Sequence, residues 1–273
     1  MNIDLDKYFA RIGYDGPREA SLKTLRDLHY LHPQALPFEN LDPLLKRPIR
    51  LDPASLQAKL IDGGRGGYCF EHNVLFANVL RQLGFKVQEA TARVRWSVPA
   101  GVRTPRVHCL LFVDAEGGKY LADVGFGGNV LTAPLELASR AAQQTPHEEF
   151  RLVDEGDRIV VQEARINGRW TPLYAYDFAD TDPVDYEMGN WLTSTHPNSI
   201  FVNGLLGARS EAGRRYAIRD NQLAVHTLNA GTEKQTLKSA GELRDALADL
   251  FKIRLDGLDG IDAALARLAA GTA

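Results

Sequence analysis

Cys69 stands in the run Arg65-Gly66-Gly67-Tyr68-Cys69-Phe70-Glu71-His72-Asn73, behind a glycine-rich stretch and at the head of an apolar segment with helical spacing. The first N–H groups of a helix lack partners and carry partial positive charge, which stabilises a thiolate. The position therefore suits a covalent nucleophile. Cysteine is also a common small buried hydrophobe, so the thiol alone leaves both readings open. A cysteine nucleophile needs a base to hold it as thiolate, and the base needs an acid or amide to orient it.

Among the seven histidines, His108 is the best placed, in Arg106-Val107-His108-Cys109-Leu110-Leu111-Phe112-Val113. An imidazole in so apolar a strand must find partners or cost stability. Suppose the turn Glu116-Gly117-Gly118 pairs Phe112 with Leu121 and Leu110 with Asp123. His108 and Asp123 then lie diagonally on one face, within side-chain reach. A slip of one residue would set Asp123 beside Cys109 instead. Asp is depleted from strands and rarely buried without a partner, so the two polar residues account for each other. Cys69, His108 and Asp123 form a possible relay. By type, Cys69, His72, His108 and Cys109 could also be zinc ligands. Adjacent strand residues point to opposite faces, so His108 and Cys109 do not close on one ion. His29 and His32 read as packing or solvent-facing residues, and residues 62–67 read as turn-forming glycine rather than a phosphate loop.

The elements that must position these residues follow from the pattern. Leu5, Tyr8, Phe9 and Ile12 recur at helical spacing before Gly13. A second helix carries Leu22, Leu25, His29 and His32 and is closed by Pro33. Asp52-Pro53 opens a third, as N-cap and first helical residue, ending before Gly63-Gly64. A fourth starts near Cys69 and carries Leu75, Val79, Leu80 and Leu83. From Lys86 the pattern turns to strands, at residues 106–114, 119–124, 149–154, 158–166 and 169–176, with Asn167-Gly168 as a hairpin turn. Five to seven antiparallel strands in a barrel or sandwich are expected. Asp182-Pro183 starts a helix that stops before His196-Pro197. A hairpin around Asp220-Asn221 and helices at 241–251 and 260–268 complete the chain. The expected division is 1–85, a helical bundle with the nucleophile; 86–195, a β-barrel with His and Asp, ending in an interdomain helix; and 196–273, an α/β lid.

Composition sets the outer bounds. The chain has 273 residues, 44% apolar and 25% charged, with a formal net charge of -3. No basic excess marks a nucleic-acid or membrane-surface partner. No apolar run reaches the ~18 residues that span a bilayer, and the start lacks a signal-peptide pattern. Two cysteines make no disulfide framework, in keeping with a reducing, cytoplasmic setting.

The signature at residues 65–73 resembles that of the arylamine N-acetyltransferases. Pro37-Phe38-Glu39-Asn40-Leu41, Val107-His108, Asp123-Val124-Gly125-Phe126-Gly127-Gly128 and His196-Pro197-Asn198-Ser199-Ile200-Phe201 match the same family in order, over residues 1 to about 205. The resemblance implies an α+β fold of helical bundle, antiparallel β-barrel and α/β lid around a papain-like Cys-His-Asp core. It implies Cys69, His108 and Asp123 as the triad, acetyl-coenzyme A as donor, and a primary arylamine, arylhydrazine or hydrazide as acceptor, with no metal. It also implies Phe38, Phe126 and Phe201 as pocket aromatics, and Gly127, Gly128 and His226 as coenzyme contacts. The alternative reading of the triad is a papain-like or transglutaminase-like cysteine amidohydrolase. Arg65 is expected to tie down the segment at Glu39-Asn40 by charge-assisted hydrogen bonds.

Overall fold

The computed structural model describes residues 2–99 and 101–271. The outer limits of the expected bundle and lid, residues 1 and 272–273, fall outside the described residues. Helix α1 (Leu5–Ile12) is capped by the Asp4 carboxylate and stopped by Gly13 in the left-handed region. Helix α2 (Leu22–Ala35) is capped by Ser21 and runs through Pro33 rather than ending there. The proline sits in the last turn, where its missing N–H removes one bond and the Leu36 N–H still reaches His32 O. Strand β1 (Phe38–Glu39) and the single turn α3 (Leu41–Leu44) follow, both too short to show as periodicity. The third predicted helix begins at Asp52-Pro53 as α4 (Pro53–Leu56) and continues as a π-helical turn over Gln57–Asp62. Helix α5 (Cys69–Gln82) fills the bundle, with Leu75, Phe76, Val79 and Leu80 fully buried. Each such side chain contributes roughly 1.5–3 kcal/mol of burial.

The central sheet comprises β2 (Lys86–Val94), β3 (Arg106–Ala115), β4 (Gly118–Ala122), β5 (Leu135–Glu136), β6 (Gln143–Gln144), β7 (Glu149–Glu155), β8 (Ile159–Ile166) and β9 (Arg169–Tyr176). Its order is β5-β4-β3-β2-β9-β8-β7-β6. The two outer strands meet through Gln143, whose Oε1 accepts the Glu136 N–H (2.8 Å) and whose Nε2 donates to Glu136 O (3.0 Å). That side chain stands in for ladder bonds and nearly closes a barrel. Strand β3 is buried on both faces. Leu110 and Phe112 join the barrel interior, while Leu111 and Val113 pack on the bundle. This two-sided burial explains its unbroken apolar run. Phe112 pairs with Leu121, the expected register.

Helix α6 (Pro183–Thr195) starts at Asp182-Pro183 and ends before His196-Pro197. After α7 (Ile200–Asn203) come β10 (Leu206–Glu211), β11 (Arg214–Arg219), β12 (Gln222–Thr227) and β13 (Gly231–Thr236), then α8 (Ala240–Asp249) and α9 (Ile261–Ala269). The second sheet has the order β1-β10-β11-β12-β13. Strand β1 thus leaves the helical part of the chain to pair with β10, Phe38 opposite Ala208. The whole is α+β: N-terminal helices, a near-closed barrel and a C-terminal α/β region. No helix among the described residues is long and apolar enough to cross a membrane.

Candidate active site

Cys69 is the first residue of α5, with Tyr68 extended at the N-cap. The first intrahelical bond runs from the His72 N–H to Tyr68 O, so the positive end of the helix falls on the thiol. The Glu71 carboxylate accepts the Tyr68 N–H (3.1 Å) and meets Lys59 Nζ (2.7 Å), which also meets Asp42 (2.6 Å). Arg65 Nε donates to Glu39 Oε1 (2.8 Å), and the Leu41 N–H donates to Glu39 Oε2 (2.7 Å). Arg65 therefore holds the Pro37 to Leu41 segment through Glu39. Asn40 instead turns to the C-terminal part, donating to Phe201 O and Gly204 O and accepting the Leu206 N–H, all at 2.7 Å. Gly66 has no room for a side chain, since a Cβ there would lie 1.9 Å from Pro37 O.

His108 and Asp123 reach this helix end from the barrel. His108 Nε2 donates to Asp123 Oδ2 (2.7 Å), which leaves Nδ1 for another partner. Asp123 is fully buried, so the protein must satisfy it. Asn73 Nδ2 (2.9 Å) and the Gly125 N–H (2.9 Å) donate to its Oδ1. Asn73 Nδ2 also donates to Cys109 O (2.8 Å), and its Oδ1 accepts the Val124 N–H (3.1 Å). One amide on α5 thus pins both strand ends beside the nucleophile. Gly125 permits the close approach, because a Cβ there would lie 2.8 Å from Cys69 Cα.

Electrostatics follow from burial and these contacts. Burial pushes the Cys69 thiol up, but hydrogen bonding with Cys109 and His108 and the His108 charge outweigh it, bringing the thiol down to about 6. Burial disfavours the charged imidazole of His108, yet the Asp123 carboxylate lifts it to about 10. Burial opposes ionisation of Asp123, and the His108 charge with three hydrogen bonds holds it below the usual carboxylate range. Both shifts run toward the charged form, the thiol toward thiolate and the imidazole toward imidazolium. The Cys69 Sγ also lies 3.7 Å from Val107 O.

His29, His32 and His72 are buried in the interior rather than solvent-facing. The Asp123 N–H donates to His29 Nε2 (3.1 Å). His72 Nε2 lies 3.1 Å from Pro37 O, His32 Nε2 2.9 Å from His72 Nδ1, and Tyr8 Oη 2.9 Å from His32 Nδ1. A carbonyl only accepts, so protons run from Tyr8 to His32 to His72 to Pro37 with both rings neutral. Burial accordingly lowers His72 to about 4 and His32 well below its ordinary range. Both ring nitrogens of His72 are thus committed away from Cys69, and the zinc set drawn from the sequence does not assemble.

The predicted aromatics flank the site on two sides. Phe38 and Phe201 have ring centroids 6.2 Å apart, and Phe201 lies 5.5 Å from Tyr68. Phe126 packs edge-on to His108 at 5.1 Å. Gly127 opens a short 3-10 turn, and a Cβ on Gly128 would lie 3.8 Å from Ala217 of β11. His226 on β12 pairs with Arg215, two places from Ala217, so its side chain shares the sheet face turned to Gly128. Its Nδ1 lies 2.8 Å from Thr232 Oγ1. Sequence reasoning missed Asn73, His29 and Tyr174. The available signal was a polar residue in an otherwise buried run of α2, α5 or β9.

A family model described as N-acetyltransferase matches residues 21–260. The arylamine N-acetyltransferase of Mycolicibacterium smegmatis is 43% identical over 96% of this chain and 96% of its own. That of Escherichia coli K12 is 40% identical over 94% and 91%. The solved structure of the Mycobacterium marinum arylamine N-acetyltransferase superposes with a TM-score of 0.94 at 40% identity, covering 97% of this chain and 100% of that one. A second structure of it, in complex with coenzyme A, gives 0.93. A thiol at a helix start beside a buried His-Asp pair, on this fold and with these relatives, places the chain in the arylamine N-acetyltransferase family.

Proposed function

We propose that Cys69 carries an acetyl group from acetyl-coenzyme A to the nitrogen of a primary arylamine, arylhydrazine or hydrazide. The chain is an acetyltransferase, and its reaction runs through a cysteine thioester. The observation that carries the residue assignment is the buried His108–Asp123 bond beside a thiol whose acidity is raised. In the first half-reaction the Cys69 thiolate attacks the acetyl carbonyl carbon. The new Sγ–C bond forms, the bond to the coenzyme sulfur breaks, and the imidazolium Nδ1–H of His108 protonates the leaving thiolate. In the second, the amine nitrogen attacks the same carbon, His108 accepts its proton, and the Cys69 thiolate departs. Asp123 keeps the ring's tautomer and orientation throughout. Backbone N–H groups at the start of α5, that of Cys69 included, suit the developing oxyanion.

Phe38, Phe126 and Phe201 are assigned to the flat acceptor ring. Gly127, Gly128 and His226 are assigned to coenzyme A, supported by the shared face of β11 and β12. The chain divides functionally into 1–85, 86–195 and 196–273. Initial-rate kinetics with acetyl-coenzyme A and an aniline or hydrazide test the proposal. Parallel double-reciprocal lines and an N-acetylated product are expected. Release of acetate at a rate indifferent to the amine would support a hydrolase instead.

A further inference from the structure

Arg11 on α1 and Arg254, between α8 and α9, meet at the turn that leads into the Cys69 signature. Arg11 Nε donates to Leu60 O (3.3 Å) in the π-helical turn. Its Nη2 is buried with no hydrogen-bond partner among the described residues. Buried donors without partners are rare in native proteins and call for an explanation. Arg254 comes to the same turn from the C-terminal region. Its N–H donates to Gly64 O (3.0 Å), and its guanidinium lies against Gly64, where a Cβ would stand 3.3 Å from Nε and 3.4 Å from Cζ. Arg254 is exposed, and its side chain has no hydrogen bond or ion pair among the described residues. Burial lowers the Arg11 guanidinium, the Arg254 charge lowers it further, and no carboxylate offsets either. Asp62, the acid of this turn, is already held by Lys7 (2.9 Å).

We propose that Arg11 and Arg254 form a binding site for a tetrahedral, dianionic oxyanion of the phosphate type, set beside the Gly63-Gly64 turn. A guanidinium fork matches a pair of phosphate oxygens bidentately. Two like charges brought to one turn repel each other. A dianion between them removes that repulsion and gives Arg11 Nη2 its acceptor. Chloride has the sign of charge without the paired acceptors, and a carboxylate has the pair with a single charge. The exposed Arg254 leaves one side of the site open to water, so the ion enters without opening the core. Once bound, it ties α1 to the C-terminal region across the turn that precedes Arg65. Its residues are none of those that contact Cys69, His108 or Asp123, and the site stands apart from the reading of those three. The phosphates of coenzyme A offer the same chemistry, so the test separates them from the free ion.

The test is calorimetric titration of the intact protein with sodium phosphate at constant ionic strength and about pH 8, where the dianion dominates. Thermal unfolding in the same buffers accompanies it. The proteins compared are wild type, Arg254→Gln, Arg11→Gln and Arg169→Gln. Arg169, exposed at the start of β9, controls for the loss of a surface charge. Wild type binds one phosphate per chain, half-saturating at about 1 mM, the worth of two charge-assisted contacts. Its Tm rises by about 3 °C at roughly ten times that concentration, and sodium chloride has no such effect. Arg254→Gln weakens binding about tenfold or more. Arg11→Gln does the same; if it fails to fold, Arg254→Gln, at an exposed position, decides alone. Arg169→Gln binds as wild type does. Without phosphate, KM for acetyl-coenzyme A is equal in wild type and Arg254→Gln. The proposal is overturned if Arg254→Gln responds to phosphate as wild type does. It is also overturned by the absence of saturable binding, which would leave Nη2 to an internal water. Phosphate that competes with acetyl-coenzyme A in wild type but not in Arg254→Gln would overturn it too, by assigning Arg254 to the coenzyme.

Discussion

At the scale of single residues, the structure buries a thiol at a helix start together with an imidazole bonded to a carboxylate. Cys69 is only 4% exposed and His108 3%. The thiol at about 6 and the imidazole at about 10 define a window in which thiolate and imidazolium coexist. The thiol titrates first, so thiolate content rises as pH climbs through about 6 and is full at neutrality. Alkylation of Cys69 by iodoacetamide should therefore follow an acidic limb near pH 6. A limb near the ordinary thiol value of about 8.5 would contradict this reading. Cys69 was legible from its place at a helix start behind a glycine-rich stretch, and His108 and Asp123 because each is a polar residue where the strand pattern demands an apolar one. Asn73 was visible only as a letter in the signature, since its partners come from β3 and the loop beyond β4. Tyr174 reads as an ordinary strand aromatic, and it meets His108 because β9 and β3 both flank β2.

At the scale of elements, the nucleophile's helix is anchored by charge as well as by packing. Lys59 and Arg65 face Glu39, Asp42 and Glu71 in a nearly dry cluster behind the N-terminus of α5. Arg65→Ala would leave Glu39, which is fully buried, without its cation. Breaking such a pair from one side costs about 3–5 kcal/mol. Denaturant unfolding should show that loss, accompanied by reduced activity as the Pro37 to Leu41 segment loosens. Unchanged stability and activity would remove Arg65 from this role. The long helices and the main strands were legible from period and punctuation, and the hairpin register from its turn. The short elements were not. Strand β1 has two residues and exists only because β10, about 170 residues later, pairs with it. The helix through Pro33 escaped for a local reason, since a proline in the last turn forfeits a single bond.

At the scale of the molecule, the site is assembled from every part of the chain. Asn40 joins the segment after β1 to residues 201–206, and Gly128 meets Ala217 on the C-terminal sheet. The bundle carries Cys69, the barrel side carries His108 and Asp123, and the C-terminal sheet lies against the turn that follows Asp123. Matches covering 96% of this chain show that the likeness extends past the signature motifs into the C-terminal region, where the sequence itself offers no diagnostic pattern. The central claim is that all of this serves one acetyl-bearing sulfur. Intact-mass spectrometry of the protein mixed with acetyl-coenzyme A, before and after an aniline or hydrazide is added, tests it most directly. One acetyl per chain, mapped to Cys69, stable in buffer and discharged by the amine to an N-acetyl product, is the expected result. An unmodified Cys69, or an acetyl group lost to water as fast with no amine as with it, would contradict the account.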